Sequence, residues 1–469
     1  MSEILHRMDR AKMTGLHRRL AWSAGLGIFL DGYDLVIIGA ALIQIVPQWH
    51  LTPLQTGLIG GAALQGSFVG ALLGGYIADR WGRKVIYLLD LATFFVAALL
   101  CSISWSFLPL YVFRLLLGIG IGADYPLSAT YMAEFMPANR RGRVITWTFG
   151  LWPAGAIVAG FTGYALLRFV GADAWRWMLA LGALPALFVL YLRRNLPESP
   201  RWYLRRNDPQ AAGEVLKRVV PELTQPEIDA MIEAQRAVIV RPKVSPLALF
   251  SPRFLRSTLF VCVPWFLMDL AGYYFVIYKP QLLSHLGYKT HESQLLWSAI
   301  INFVYPFGFI PLAYTVDKIG RIGPQILGFV FCALAIVVVV FAGDTHPVIV
   351  CLGLLLNTIF ISFGPGSTTY ILPAEVYPTD VRATGHGFAT AVSRAGAVFS
   401  GSLCPSLAAW LGTSFLLWFL AGTYLAGAIT TWIFRVQTTS KPLIEDELAA
   451  ALPESALQMG NIMPLEAVE

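Results

Sequence analysis

Apolar residues run through this chain in long stretches separated by short polar segments. Stretches near 20–46, 55–78, 85–104, 107–131, 143–168, 175–192, 255–278, 293–315, 323–342, 346–371, 384–411 and 413–435 stand out. Each reaches the ~20 residues a helix needs to cross a hydrocarbon layer. The pattern predicts an all-α membrane protein of twelve transmembrane helices. Residues 193–254 break the series with a polar segment that reads as a short helical linker. The expected division is a first six-helix bundle over 1–192, this linker, a second bundle over 255–435 and a tail over 436–469.

Composition narrows the picture. Hydrophobic residues are 56% of the chain, charged ones 13%, and the mean hydropathy is +0.62. Soluble proteins carry roughly 25% charged residues, so a soluble enzyme, a disordered regulator and a secreted disulfide scaffold all fit poorly. The five cysteines each sit inside an apolar stretch and read as small core residues. Met1 to Arg19 is polar and basic, and the first apolar run is too long for a signal core, so no cleavable leader is expected.

The net charge of +6 changes meaning once it is located. With the N-terminus inside, most basic residues fall on one face, beginning with Arg7, Arg10, Lys12, Arg18 and Arg19 and continuing through the linker. The other face holds Arg168, Arg176, Lys279 and Lys289. That asymmetry predicts cytoplasmic termini and removes nucleic acid as an explanation of the charge.

An internal repeat follows. Gly75-Tyr-Ile-Ala-Asp79-Arg80-Trp-Gly82-Arg83-Lys84 follows the second run, and Ala313-Tyr-Thr-Val-Asp317-Lys318-Ile-Gly320-Arg321 follows the eighth. Glu134, Pro137 and Arg141 after the fourth run return as Glu375, Pro378 and Arg382 after the tenth. Two motif pairs at nearly one offset imply two parallel six-helix halves. Charged groups at such helix ends can latch one state and part in another, so both sets are read as a cytoplasmic gate.

Ionisable residues at membrane depth cost about 2.5–3.5 kcal/mol each on insertion scales, which makes each a functional candidate. Asp31 and Asp34 share a helix face in the first run. Arg114 and Asp124 lie in the fourth, Asp269 in the seventh and Arg394 in the eleventh. Four acids against two bases would repel an anion unless an acid were protonated, a state that burial favours. Asp31 and Asp34 are also readable as caps of a broken helix, and Arg114 as a buried partner of either. Trp265, Asp269 and Tyr273 align on one face of the seventh run.

The loop motif, the twelve runs and the central linker resemble the major facilitator superfamily over essentially the whole chain. Three stretches are similar to its phosphate:proton symporters: Gly118-Ile-Gly-Ile-Gly122-Ala-Asp124-Tyr125-Pro126, Trp265-Phe-Leu-Met-Asp269-Leu-Ala-Gly-Tyr273 and Phe363-Gly-Pro-Gly-Ser-Thr-Thr-Tyr370. The resemblance implies a substrate site of Asp124, Tyr125, Trp265, Asp269, Tyr273 and Arg394, the last replacing that family's usual Lys. It implies proton coupling through Asp31, Asp34 and Arg114, no cofactor or metal, and a monomer whose partners are protons, a small anion and the bilayer. Trp152 stands where the family has a phosphate-binding Gln, and Ala71 replaces a second Gln. An indole in place of an amide makes the pocket larger or less polar, so Trp152 joins the substrate set.

Inorganic phosphate is the leading expectation on these grounds. Asp31-Gly-Tyr-Asp34 resembles the aromatic-acid:proton symporters, and Trp152 offers a stacking face to an aromatic carboxylate; an aliphatic carboxylate is the other organic alternative. Pro197-Glu198-Ser-Pro-Arg201-Trp202 is similar to sugar and organic-ion porters, but Asp269 and its apolar neighbours occupy the place of the Gln pair a sugar site needs. No phosphate-binding loop, zinc-protease motif or nucleophile elbow is present, which argues against an enzyme. A solute sensor would use the same fold.

Overall fold

In the computed structural model, residues 13–137, 144, 147–148, 150–205, 208–236, 246–377 and 379–436 are described. Eleven helical segments among them are long and apolar enough to cross a membrane. The first half contributes Gly15–Gln48, Pro53–Leu73, Arg83–Ser102, Phe107–Asp124, Leu151–Val170 and Ala174–Arg193. The second contributes Pro252–Ile277, His291–Val316, Ile322–Ala342, Pro347–Pro373 and Thr413–Phe434. The 33-residue helix Thr379–Leu411 completes the set as the eleventh span. The sequence boundaries hold to within about five residues except at the fifth span, expected from 143, whose described helix is Leu151–Val170.

Three spans are broken where the chain demands it. The sixth stops at Leu181 and resumes at Ala183. The eighth divides at Val304, ahead of Pro306, and the tenth at Gly364, ahead of Pro365. Proline lacks the N–H that would continue a helix and is tolerated in the first turn of a new one. Elsewhere close approach depends on small residues: a Cβ on Gly118 of the fourth span would collide with the Ala63 carbonyl of the second.

Burial follows membrane logic. The first span is almost wholly enclosed by its neighbours. Leu72, Val96, Phe331, Leu352 and Trp432 project from the outer surface, where lipid tails take the place of a protein partner. All five cysteines are buried and free.

The linker is helical over Pro200–Arg205, Pro209–Val219 and Gln225–Arg236. Leu216, Val219, Leu223 and Ile228 pack with Leu20, Tyr87, Leu127 and Phe135, so the linker closes the base of the first half. Arg193, which the sequence assigns to the start of the linker, instead ends the sixth span and points into the bundle, fully buried.

At the end opposite the linker the two halves lock together. A Cβ on Gly39 of the first span would strike the Ile277 carbonyl of the seventh. Gln65 donates to Ser402 at 2.8 Å, Gln281 donates to the Gly39 carbonyl at 3.0 Å, and Arg168 pairs with Glu292 at 3.1 Å. This seal leaves a cavity between the halves at mid-depth.

Candidate functional site

The cavity has a volume of about 110 Å³. The seventh span supplies Trp265, Met268, Asp269, Gly272, Tyr273 and Val276 on one face, at the three- and four-residue spacing of a helical stripe. Trp152 comes from the fifth span, Tyr305 from the eighth, Ile361, Gly366 and Tyr370 from the tenth, and Thr390, Ser393 and Arg394 from the eleventh. Five aromatic residues therefore surround one guanidinium and one carboxyl group.

Arg394 is the centre of the polar part. Its Nη1 donates to the Tyr273 hydroxyl at 2.7 Å, and Asp269 lies beside it and Ser393. Its Nη2 also stands 3.9 Å from Asp31 Oδ2, an ion pair that crosses from one half to the other. The Trp152 indole N–H donates to the same Asp31 oxygen at 3.1 Å. Asp31 thus sits just behind the cavity wall, 2% exposed, joined to the cavity through Trp152 and Arg394.

Of the residues singled out in the sequence, Trp152, Trp265, Asp269, Tyr273 and Arg394 come together here. Asp124 does not line this space. Arg193 Nη1 stands 2.8 Å from Asp124 Oδ1 and 3.4 Å from Asp90 Oδ2, and its guanidinium lies over the Tyr87 ring. A small gap of about 10 Å³, lined by Asp31, Asp90 and Asp124 among others, adjoins that cluster. The side chain of Tyr125 lies outside the described residues.

Asp34 and Arg114 form a pair separate from Asp31. Arg114 donates from Nη1 to Asp34 Oδ1 at 3.2 Å and from Nη2 to Oδ2 at 2.9 Å, and its Nε bonds the Ile59 carbonyl. This bidentate fit, with the arginine at 0% exposure, joins the first, second and fourth spans.

The gate set is partly described. Arg321 donates to Glu375 Oε1 at 2.7 Å from Nη2, tying the loop after the eighth span to the tenth. Arg83 is buried near the start of the third span, where Glu198 accepts the Lys84 backbone N–H at 2.8 Å. The side chains of Asp79, Glu134, Arg141, Asp317 and Arg382 lie outside the described residues.

The family scan matches residues 20–449 to the model described as "Sugar (and other) transporter". The chain belongs to that family. The inner membrane metabolite transport protein YgcS of Escherichia coli is 34% identical, covering 93% of this chain and 95% of that one. The niacin transporter NiaP of Acinetobacter baylyi is 30% identical, covering 84% and 88%, and the low affinity inorganic phosphate transporter 4 of Petunia hybrida is 30% identical, covering 85% and 84%. The xylose transporter XylE of E. coli, in a partially occluded inward-open conformation, shares the fold, with a TM-score of 0.75 at 22% identity over 92% of this chain and 100% of that one. This chain is therefore a multi-pass membrane transporter of the major facilitator superfamily, and its relatives are transporters rather than enzymes.

Sequence reasoning overlooked several residues of the transporter's cavity. Tyr305 and Tyr370 carry no pattern that separates a cavity ring from a packed one. His386, which does not itself line the cavity, stacks edge-on against the lining residues Tyr370 and Trp265, with ring centroids at 5.3 and 6.0 Å. Among the described residues no cluster of potential metal ligands occurs.

Proposed function

We propose that the transporter is a proton-coupled symporter of a small organic anion, with an aromatic monocarboxylate the passenger that best fits the cavity. The observation that carries this reading is that Arg394 is shared between the cavity and Asp31. While Asp31 is ionised, the two charges satisfy each other. A proton on Asp31 cancels its charge and leaves the guanidinium to bind a carboxylate bidentately. Anion and proton then enter together because each lowers the cost of the other.

The walls favour a ring. Trp152, Trp265, Tyr305 and Tyr370 offer flat faces and edges, while the single guanidinium suits one anionic group. NiaP, a relative at 30% identity, is named for niacin, itself an aromatic monocarboxylate. Asp269 stands next to Arg394 as a second acid whose charge must be managed for an anion to bind. Asp124 is occupied by Arg193 and is left out of the substrate set.

The distribution of basic residues supports cytoplasmic termini in a plasma or bacterial inner membrane. In that orientation the sealed end is extracellular, and the cavity belongs to an inward-facing state. The loops around Asp79/Arg83 and Asp317/Arg321, with Glu134, Arg141, Glu375 and Arg382, then act as the cytoplasmic gate of a monomer.

Inorganic phosphate is the second reading. It draws on the stretches around Asp124, Asp269 and Tyr370 and on the phosphate transporter relatives. The indole of Trp152 at the place of an amide weighs against it.

Purified protein in liposomes with an inward proton gradient separates the two. Labelled nicotinate or benzoate should accumulate, and a protonophore should abolish the accumulation. Phosphate uptake with both carboxylates inert would establish the second reading. Asp31→Asn and Asp269→Asn should each lose proton-driven accumulation while remaining folded, and wild-type uptake by either would remove that residue from the mechanism.

A further inference from the structure

Lys279 is 5% exposed, at the sealed end of the protein, and its Nζ donates to Asn302 Oδ1. No carboxylate forms an ion pair with it among the described residues. An ammonium removed from water is normally matched by an acid, and a neutral amide is poor compensation. Asn302 is itself 8% exposed, and its Nδ2 is buried without a hydrogen-bond partner. A basic amine, a cation once water reaches it, and an idle N–H donor are thus held side by side.

Their position gives the pair a use. Val276 lines the cavity, and Lys279 follows three residues on, just past the Ile277 end of that helix. Asn302 precedes the cavity residue Tyr305 by three positions on the eighth span. Both residues therefore stand within a few chain positions of the cavity lining, toward the sealed end. The residues that flank Lys279 make the seal: the Tyr278 hydroxyl, which donates to the Gly401 carbonyl, lies against Gly60 of the other half, and Gln281 donates to the Gly39 carbonyl at 3.0 Å. Parting of the halves at this end breaks those contacts and uncovers Lys279 and Asn302 along the opened path.

We propose that Lys279 and Asn302 form a transient anion-binding site at the outer mouth of the transport path, used when that end opens and closed off when it seals. The site takes a carboxylate or phosphate group, charge-paired to Nζ and hydrogen-bonded to Nδ2, and hands it to Arg394. The proposal rests on the reading of the passenger as an anion. The neutral Asn302 carbonyl keeps Lys279 partnered in the sealed state without competing as strongly as a carboxylate would.

The test compares wild type, Lys279→Met, Lys279→Arg and Asn302→Leu in liposomes, with labelled nicotinate and phosphate as probes. Uptake from the outer face should show KM raised about tenfold in Lys279→Met, with a smaller rise in Asn302→Leu and near-normal values in Lys279→Arg. The wild-type KM should rise with ionic strength, and that dependence should weaken in Lys279→Met. Equilibrium Kd for the same anion, measured calorimetrically on detergent-purified protein, should stay within about twofold of wild type. An unchanged KM in Lys279→Met, or a KM and Kd that rise in parallel, would overturn the site while leaving the anion reading intact. Wild-type protein inert toward both anions would overturn that reading and the site with it. A wild-type melting curve for Lys279→Met separates a lost site from a lost fold.

Discussion

Trp152 donates its indole N–H to Asp31 across 3.1 Å, so one side chain is both a wall of the cavity and a ligand of the acid behind it. A passenger that presses on the indole changes the environment of Asp31, and a proton on Asp31 changes the hold on the indole. Trp152→Phe keeps the ring and deletes the donor. A hydrogen bond to a charged group contributes about 1.5–3 kcal/mol, so proton-driven accumulation should fall roughly tenfold or more. Exchange of labelled against unlabelled anion, which needs no net proton movement, should change much less. Equal losses in both assays would assign Trp152 to binding alone.

Trp152→Gln asks a different question. It introduces the amide that the resemblance to phosphate:proton symporters implies for this place. Selectivity for nicotinate over phosphate, read as a ratio of uptake rates, should shift toward phosphate by about tenfold, the effect of ~1.4 kcal/mol. An unchanged ratio would mean that the indole does not set the preference.

Arg394→Ala removes the guanidinium that faces Tyr273, Asp269 and Asp31. Truncating one member of a buried charge pair costs about 3–5 kcal/mol, so anion uptake should drop at least ~100-fold. Arg394→Lys keeps the charge without the fork and should retain an intermediate rate. Uptake by Arg394→Ala close to wild type would sink the proposed role.

Asp34 and Arg114 behave as a clamp in this structure, because both guanidinium ends are matched to both carboxylate oxygens. Asp34→Ala strands a fully buried cation and should destabilise the protein by about 3–5 kcal/mol. The double variant Asp34→Ala/Arg114→Met should recover much of that loss. Melting curves in detergent provide the readout. Single variants that melt like wild type but fail to couple protons would support the pair's expected place in the proton path.

Gly39 lies so close to the Ile277 carbonyl that no side chain fits between the first and seventh spans. Gly39→Val should open the sealed end and favour the opposite state. Spin labels placed at Phe169 and Trp410, both exposed on that end of opposite halves, should report a longer distance in the variant. An unaltered distance distribution would show that this contact does not hold the seal.

The span pattern, the two-half repeat and the stripe of Trp265, Asp269 and Tyr273 were all legible in the chain itself. Hydropathy acts locally, since each backbone group in a lipid core must be satisfied within its own helix. A 3.6-residue period likewise fixes which residues share a face. The set of acids and bases at membrane depth was legible too, because such residues are rare there.

Which charge meets which was decided only when the helices packed. Periodicity places Asp31 and Asp34 on one face, yet Asp34 meets Arg114 while Asp31 meets Trp152 and Arg394. Asp124 looked like a substrate contact from its motif, but the sixth span turns Arg193 inward and takes it. Tyr305 opens the second segment of the eighth span and lines the cavity, and the buried Lys279 meets Asn302 of that span. A helix dictates the direction of its side chains, whereas the neighbour across the gap comes from residues dozens to hundreds of positions away, set by the crossing of whole helices. The spans and the inventory of charges therefore belong to the sequence, and their pairing into a site belongs to the tertiary structure.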